Sequence, residues 1–243
     1  MRTLNFAKRN IKELIRDPLS LVFSVLLPLF LLFIFQQFNI PNEAYNLTNF
    51  TPGIIIFSFS FITLFTATLI ARDRQSSLLI RLGVSPMKSH EYILGYMISL
   101  IPMILIQNVL LFGLSLLLGL KFSISIIFAI LVSIIVSILF ISIGILFGSL
   151  FTEKASSGIS SIIVQFVCFT SGMYFSIDLV GKGFAKVCHI LPFEGSLNIL
   201  KAVLNNDFSM VTTENIVVFT LYTIAILILS IIIFNKKMTS DNR

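Results

Sequence analysis

Long stretches without a charged residue are the feature that most restricts how this chain of 243 residues can fold. An Asp, Lys or Arg at the centre of a membrane helix costs roughly 2.5–3.5 kcal/mol, so charges mark the ends of membrane spans. A helix of about 20 residues crosses the hydrocarbon core. Six charge-free stretches reach that length: 18–42, 44–71, 92–120, 122–152, 155–177 and 215–235.

Composition also assigns the chain to a bilayer. Hydrophobic residues make up 56% of it and charged residues only 12%, whereas a soluble domain carries roughly 25% charged residues. The mean hydropathy of +1.00 agrees. Segments 26–35, 124–145 and 224–234 are apolar on every face and lack the alternation typical of barrel strands. The predicted fold class is therefore all-α, a polytopic membrane protein whose single domain covers residues 1–243.

Six transmembrane helices are predicted from the charge-free stretches, at about 19–38, 53–71, 92–118, 124–150, 157–177 and 214–234. The first follows a basic segment, as the apolar region of a secretory signal does. It is longer than such a region, and no small-residue cleavage site follows before Asn39. We therefore expect a retained first span.

The distribution of Lys and Arg predicts the orientation. With six spans, thirteen of these residues fall on one side of the membrane and four on the other. Because cytoplasmic loops carry the excess of positive charge, we expect a plasma-membrane protein with both termini in the cytoplasm. The charges lie in separate loops rather than on one folded face, so no nucleic-acid partner is expected. The four on the outer side are Lys121, Lys182, Lys186 and Lys201.

The N-terminal segment 3–16 has an amphipathic helical pattern that ends at Asp17-Pro18. The pattern predicts an interfacial helix on the inner leaflet, and a plain basic anchor for the first span is the alternative. Its apolar positions are Leu4, Ala7, Ile11, Leu14 and Ile15.

The cytoplasmic segment 73–86 carries three leucines at helical spacing, followed by Gly83 and Pro86, which end a helix. Such a short amphipathic helix either lies on lipid or docks a soluble partner. The three leucines are Leu78, Leu79 and Leu82.

The outer segment 178–213 is too long for a simple turn. It contains a second amphipathic stretch, introduced by Leu191-Pro192-Phe193, with Leu197 and Leu200 on its apolar side. We expect it to cap the outer mouth of the bundle, and a helix resting on the outer leaflet is the alternative.

Polar and small residues within the spans are few. Gln107 and Asn108 lie in the third span and Gln165 in the fifth. Hydrogen bonds between helices are the ordinary explanation for them, and a substrate path is the alternative. A helix-packing seam is predicted for four small residues that share one face of the fourth span, Ser133, Ser137, Gly144 and Gly148.

Several function classes are disfavoured. The cores of the predicted spans contain no Asp, Glu, Lys, Arg or His, which argues against an ion-coupled carrier or an intramembrane enzyme. Cys168 and Cys188 are too few for a disulfide framework or a four-ligand zinc site. The phosphate-binding motif G-x-x-x-x-G-K-[ST] is absent. We expect no catalysis, metal or cofactor in this chain; if it pumps, the ATPase is a separate polypeptide.

Two motifs stand out beside these patterns. One begins at Asp73-Arg74, continues through Leu79, Arg81-Leu82 and Ser85-Pro86, and ends at Glu91 and Ile93-Leu94-Gly95-Tyr96. The other is Ser171-Gly172 followed by Leu191-Pro192-Phe193. With the six spans, they resemble the permease subunits of ABC-2 type exporters over essentially the whole chain. Gln75 and Ser77 depart from the family pattern, where a second acid and a glycine are common.

The resemblance implies that segment 73–86 is a coupling helix seated in a groove of a cytoplasmic ATP-binding subunit, which would hold ATP and Mg. A second permease copy or a paralogue would complete the unit within the membrane lipids. ATP-driven closure would move an amphipathic substrate, a drug, peptide or lipid-like molecule, out of the cell. The expected contacts with the ATPase are Arg74, Leu78, Leu79, Arg81, Leu82, Ser85, Pro86 and Glu91.

A different function class stays open at this point. A non-pumping membrane immunity or sensor protein would bind a peptide at the outer segment 178–213. An ion-coupled carrier is less favoured because the spans lack ionisable groups.

Overall fold

The computed structural model describes residues 2–38, 40–76, 89–175 and 177–241, and these residues form helices and no strand. The all-α fold class is therefore confirmed for them. The helices are α1 (Arg2–Ile15), α2 (Pro18–Gln37), α3 (Leu47–Gln75), α4 (Ser89–Leu117), α5 (Ser125–Leu150), α6 (Glu153–Thr170), α7 (Lys182–Ile190), α8 (Pro192–Asn205) and α9 (Thr213–Asp241).

Within the described residues, four helices are long and apolar enough to cross a membrane: α3, α4, α5 and α9. A fifth span results if α7 and α8, which meet at 76°, are taken as one bent unit. The apolar part of α2, Leu21–Gln37, is shorter, and α6 ends at Thr170 although the fifth predicted span extends to 177. The count of six spans therefore stays a prediction.

Helix α3 lies at the centre and packs against α2, α4, α5, α6 and α8. Its closest neighbour is α5, because two glycines remove side chains from the contact. A Cβ at Gly144 would lie 2.5 Å from Thr66 Cβ, and one at Gly148 would lie 2.6 Å from the carbonyl oxygen of Ala67. The Thr63 hydroxyl donates to the Phe140 carbonyl at 2.8 Å across the same interface. Small residues thus let the two backbones approach, as in other membrane helix pairs.

Helix α1 packs across α4. The Phe6 ring meets Tyr92 and Tyr96 edge to face, with centroids 5.3 and 5.0 Å away. Gly95 makes room for it, since a Cβ there would lie 2.6 Å from Phe6 Cδ1. The docked face agrees only in part with the predicted apolar face: Ala7 is buried as expected, but Leu4 and Ile15 are exposed, and Phe6 and Asn10 are buried in their place. The position of α1 on an inner leaflet stays a prediction.

The outer segment folds into α7 and α8, and α8 packs on α3, α5 and α9. Phe193, Leu197 and Leu200 are buried in that contact, so the predicted apolar side of the segment faces the bundle. Asn205 Nδ2 lies 3.4 Å from the Thr48 carbonyl, which places α8 beside the start of α3. We call this the Lys201 end of the bundle, and the opposite end, where α3 finishes, the Asp73 end.

Candidate functional site

The strongest polar cluster of the described residues lies at the Asp73 end, on the last turn of α3. Arg72, Asp73 and Arg74 are consecutive, and each successive residue of a helix turns by about 100°. The three side chains therefore leave α3 in different directions and reach four other helices. The predicted coupling segment begins at this turn.

Asp73 is the centre of the cluster, with only 1% of its side chain exposed. Arg9 of α1 donates to both carboxylate oxygens, at 2.7 Å from NH1 and 2.8 Å from NH2. The Tyr96 hydroxyl of α4 donates to Oδ2 at 2.7 Å. Paired, hydrogen-bonded charge is the form in which a buried carboxylate is tolerated. Asp73 thus joins α1 and α4 to the end of α3.

Arg9 is itself shared among several acceptors. It forms an ion pair with Glu13 one turn along α1, and its NH1 also donates to Asn10 Oδ1 at 2.9 Å. Burial lowers the pKa of Arg9, but the hydrogen bond and the attraction of Asp73 outweigh burial and raise that pKa on balance. The guanidinium is therefore charged at every physiological pH.

The two arginines beside Asp73 hold the connection between α5 and α6. Arg74 NH1 donates to the carbonyls of Gly148 and Ser149, at 3.0 and 2.6 Å, in the last turn of α5. A cation there satisfies carbonyls that have no helical partner and faces the negative end of the helix. Arg72 Nε bonds Glu153 Oε1 at 2.8 Å in the first turn of α6.

Most of the predicted ATPase contacts lie outside the described residues. Of the eight, the structure describes Arg74, near the end of α3, and Glu91, near the start of α4. Arg74 contacts carbonyls of its own chain, and its contact with a partner stays a prediction. The others are Leu78, Leu79, Arg81, Leu82, Ser85 and Pro86.

Gln107 has a structural explanation. Pro28 has no N–H, so the Ser24 carbonyl four residues earlier in α2 loses its helical donor. Gln107 Nε2 of α4 donates to that carbonyl at 3.2 Å. The hydrogen bond replaces the one that the proline removes, and it joins α4 to α2.

The other predicted polar residues of the spans separate in the structure. Asn108 Nδ2 donates to Ser133 Oγ at 2.9 Å, and this bond joins α4 to α5. Gln165 lies on the exposed side of α6, whereas Gln107 and Asn108 are buried. A substrate path that uses these three residues stays a prediction. Ser137 donates to the Ile134 carbonyl within α5 at 2.7 Å.

The sequence had not indicated the Asp73 network. In the sequence, Arg9 is one of several charges on the polar side of the amphipathic segment 3–16, and Glu153 is the charge that ends the stretch 122–152. The spacing of Tyr92, Gly95 and Tyr96 could have indicated the α1 contact. A glycine between two aromatic residues on one helix face leaves space for a side chain of another helix. Within the part of the chain that the structure describes, no three His, Cys, Asp or Glu residues are placed to bind a metal.

Comparison with known proteins identifies the chain at the level of a family. The sequence model of the family described as ABC-2 type transporter matches residues 3–205. This range includes the Asp73 network, the coupling segment and α8. No curated protein matches the sequence.

Proposed function

The chain belongs to the ABC-2 type transporter family, and on this basis we propose that it is the permease of an exporter that moves an amphipathic substrate out of the cell. As the membrane component of an ABC transporter, it is not the ATPase. A separate cytoplasmic ATP-binding subunit, with its own ATP and Mg, supplies the energy. The substrate is a drug, a peptide or a lipid-like molecule.

One observation supports this proposal most strongly: the turn of α3 that leads into segment 73–86 is bonded to α1, α4, α5 and α6. A displacement of the segment by a docked ATPase therefore acts on five helices at once. A loop that only lay on lipid would need no such attachment.

The docking contact itself consists of Leu78, Leu79 and Leu82 in a groove of the ATPase, with Arg81 at the acidic rim. Buried apolar anchors at the centre of an interface contribute most of its affinity. The working unit contains two permeases, identical or paralogous, in the plasma membrane with both termini in the cytoplasm. The excess of Lys and Arg on the predicted inner side supports this orientation.

The test is purification of the tagged protein from its native host in mild detergent, with identification of the bound subunits. We expect a stoichiometric ATP-binding subunit, and its amount falls at least about tenfold in the Leu79→Asp/Leu82→Asp variant because a charge replaces each anchor. The matched control is Leu179→Asp, an exposed leucine at the Lys201 end. This variant retains the subunit.

Two outcomes contradict the proposal. Unchanged co-purification in the double variant shows that the docking segment is elsewhere. A protein that carries no ATPase, under conditions that preserve a known transporter complex, favours the non-pumping immunity or sensor module.

A further inference from the structure

A polar cavity of about 450 Å³ lies at the Lys201 end, between the end of α6, the face of α8 and the short turn Glu43–Tyr45 before α3. It is far from the Asp73 network, and neither the family nor the export proposal assigns a role to it. Its polar lining includes Asn42, Asn49, Ser171, Asn198 and Lys201.

Ser171 contributes a hydroxyl that has no hydrogen-bond partner among the described residues, although the residue is only 1% exposed. Many serines within the described helices donate their hydroxyl to a carbonyl of the preceding turn, as Ser196 does to Pro192 at 2.6 Å, although Ser160 of α6 does not. Ser171 caps α6 instead, and Gly172, in the left-handed conformation with φ +77°, turns the chain away. The Ser171 hydroxyl is thus a buried donor without a partner in the described part of the chain, on a residue that lines the cavity.

Lys201 contributes an ammonium that the Glu194 carboxylate attracts but that no acceptor among the described residues contacts directly. Its ammonium makes no hydrogen bond or ion pair within the described ranges, although its neighbours Leu200 and Ala202 are buried and its own side chain is partly so. Two carboxylates also line the cavity, but Glu194 already bonds His189 at 2.7 Å, and Glu43 is exposed at the rim. A partly buried ammonium without a hydrogen-bond acceptor is incompletely satisfied, and an incoming oxyanion would supply that acceptor.

We propose that this cavity binds the anionic group of an amphiphile, a carboxylate or a phosphate, between the Lys201 ammonium and the Ser171 hydroxyl. The Asn198 amide lines the same wall and supplies a further donor. The apolar part of the ligand lies along the exposed hydrophobic surface at the cavity, where Met210 of the lining is 40% exposed. The ligand is either the headgroup of a membrane lipid or a free amphiphile.

The test measures binding to the purified protein, so it does not depend on transport or on the ATPase. Decyl phosphate is titrated calorimetrically into the protein in an uncharged detergent. In parallel, nanodiscs of phosphatidylcholine with or without phosphatidylglycerol are compared for retained lipid by native mass spectrometry.

We expect Lys201→Gln to weaken binding by about tenfold or more, because it removes a charged hydrogen bond. Ser171→Ala weakens it severalfold, and Lys201→Arg retains it. The matched control is Lys182→Gln, which removes an exposed lysine of α7 outside this cavity and leaves affinity unchanged.

Both ligand sources support the site, and the two arms distinguish them. Retention of phosphatidylglycerol alone identifies a lipid headgroup, and binding of decyl phosphate alone identifies a free amphiphile. The proposal is overturned if neither probe binds the wild-type protein, or if Lys201→Gln and Lys182→Gln weaken binding equally. Loss of ATPase co-purification leaves this result untouched, so the two proposals fail separately.

Discussion

Helices α3 and α9 are similar in sequence character and opposite in environment. Their most apolar windows have mean hydropathies of 2.3 and 2.9, yet 83% of the α3 window is buried inside the chain and only 11% of the α9 window. Hydropathy therefore indicates that a helix belongs in the membrane but does not indicate what it contacts there. Small and polar side chains carry that second piece of information.

Helices α3 and α9 differ in their small and polar side chains. Helix α3 carries Thr63 and Thr66 at its contact with Gly144 of α5, and its last turn carries the charged cluster around Asp73. Helix α9 presents Ile224, Ile228 and Ile232 on an exposed side, at 51%, 51% and 57% exposure. That side needs an apolar cover, which lipid or a second chain supplies. Substitutions in both helices test this comparison.

The largest effect is expected where α3 holds its buried charge. Arg9→Gln leaves the Asp73 carboxylate unpaired and destabilises the protein by about 3–5 kcal/mol, measured as the free energy of unfolding in SDS. Lys8→Gln, an exposed cation of the same helix, is the matched control and changes little. Adding Asp73→Asn to Arg9→Gln recovers part of the loss. A double variant no more stable than Arg9→Gln would show that the ion pair does not carry the effect.

A direct comparison of the two helices replaces isoleucine by alanine in each. Ile62 of α3 is fully buried, so Ile62→Ala opens a cavity and costs about 2–5 kcal/mol in the same unfolding measurement. Ile228→Ala in α9 changes the stability of the single chain by less than about 0.5 kcal/mol. Equal losses of stability in the two variants would show that burial does not distinguish α3 from α9. A fall in the dimer fraction for Ile228→Ala alone would identify a second chain as the cover of α9.

The smallest effect concerns the close approach of α5 to α3. Gly148→Ala places a methyl group against backbone atoms of α3 and costs about 1–3 kcal/mol. Gly113→Ala in α4 has no atom within 4 Å of its new Cβ and is the matched control. It shifts stability by no more than about 1 kcal/mol. If both glycine variants behave alike, the tight contact with α3 does not depend on Gly148.

The fold class, the membrane environment and the family were predictable, because they depend on composition, run length and a local motif. The shared face of Gly144 and Gly148 followed from helical periodicity. The helix that packs against this face could not be predicted, since several apolar spans offered equivalent surfaces. A sequence pattern predicts which face of a helix is used for packing more readily than it predicts which helix packs there.

The Asp73 network was beyond prediction for a different reason. Asp73 and Arg9 are 64 residues apart, and although Asp73 begins the family motif, nothing in the sequence indicates that Arg9 is its partner. The docking face of α1 depends on Phe6 rather than on the more regular series that contains Leu4 and Ile15, which are exposed. Such contacts between residues distant in the sequence can be identified only once the arrangement of the helices is known.

The hydrogen bond from Gln107 to the Ser24 carbonyl also gives α2 and α4 one fixed point of contact. Pro28 removes one backbone hydrogen bond of α2, and Gln107 of α4 supplies the donor that the Ser24 carbonyl lacks. A tilt of α2 relative to α4 that keeps this hydrogen bond must pivot about the Ser24 carbonyl. Gln37, at the end of α2, lies about 20 Å along the axis from Ser24, so a rotation of a few degrees about Ser24 would move that end by an ångström or more.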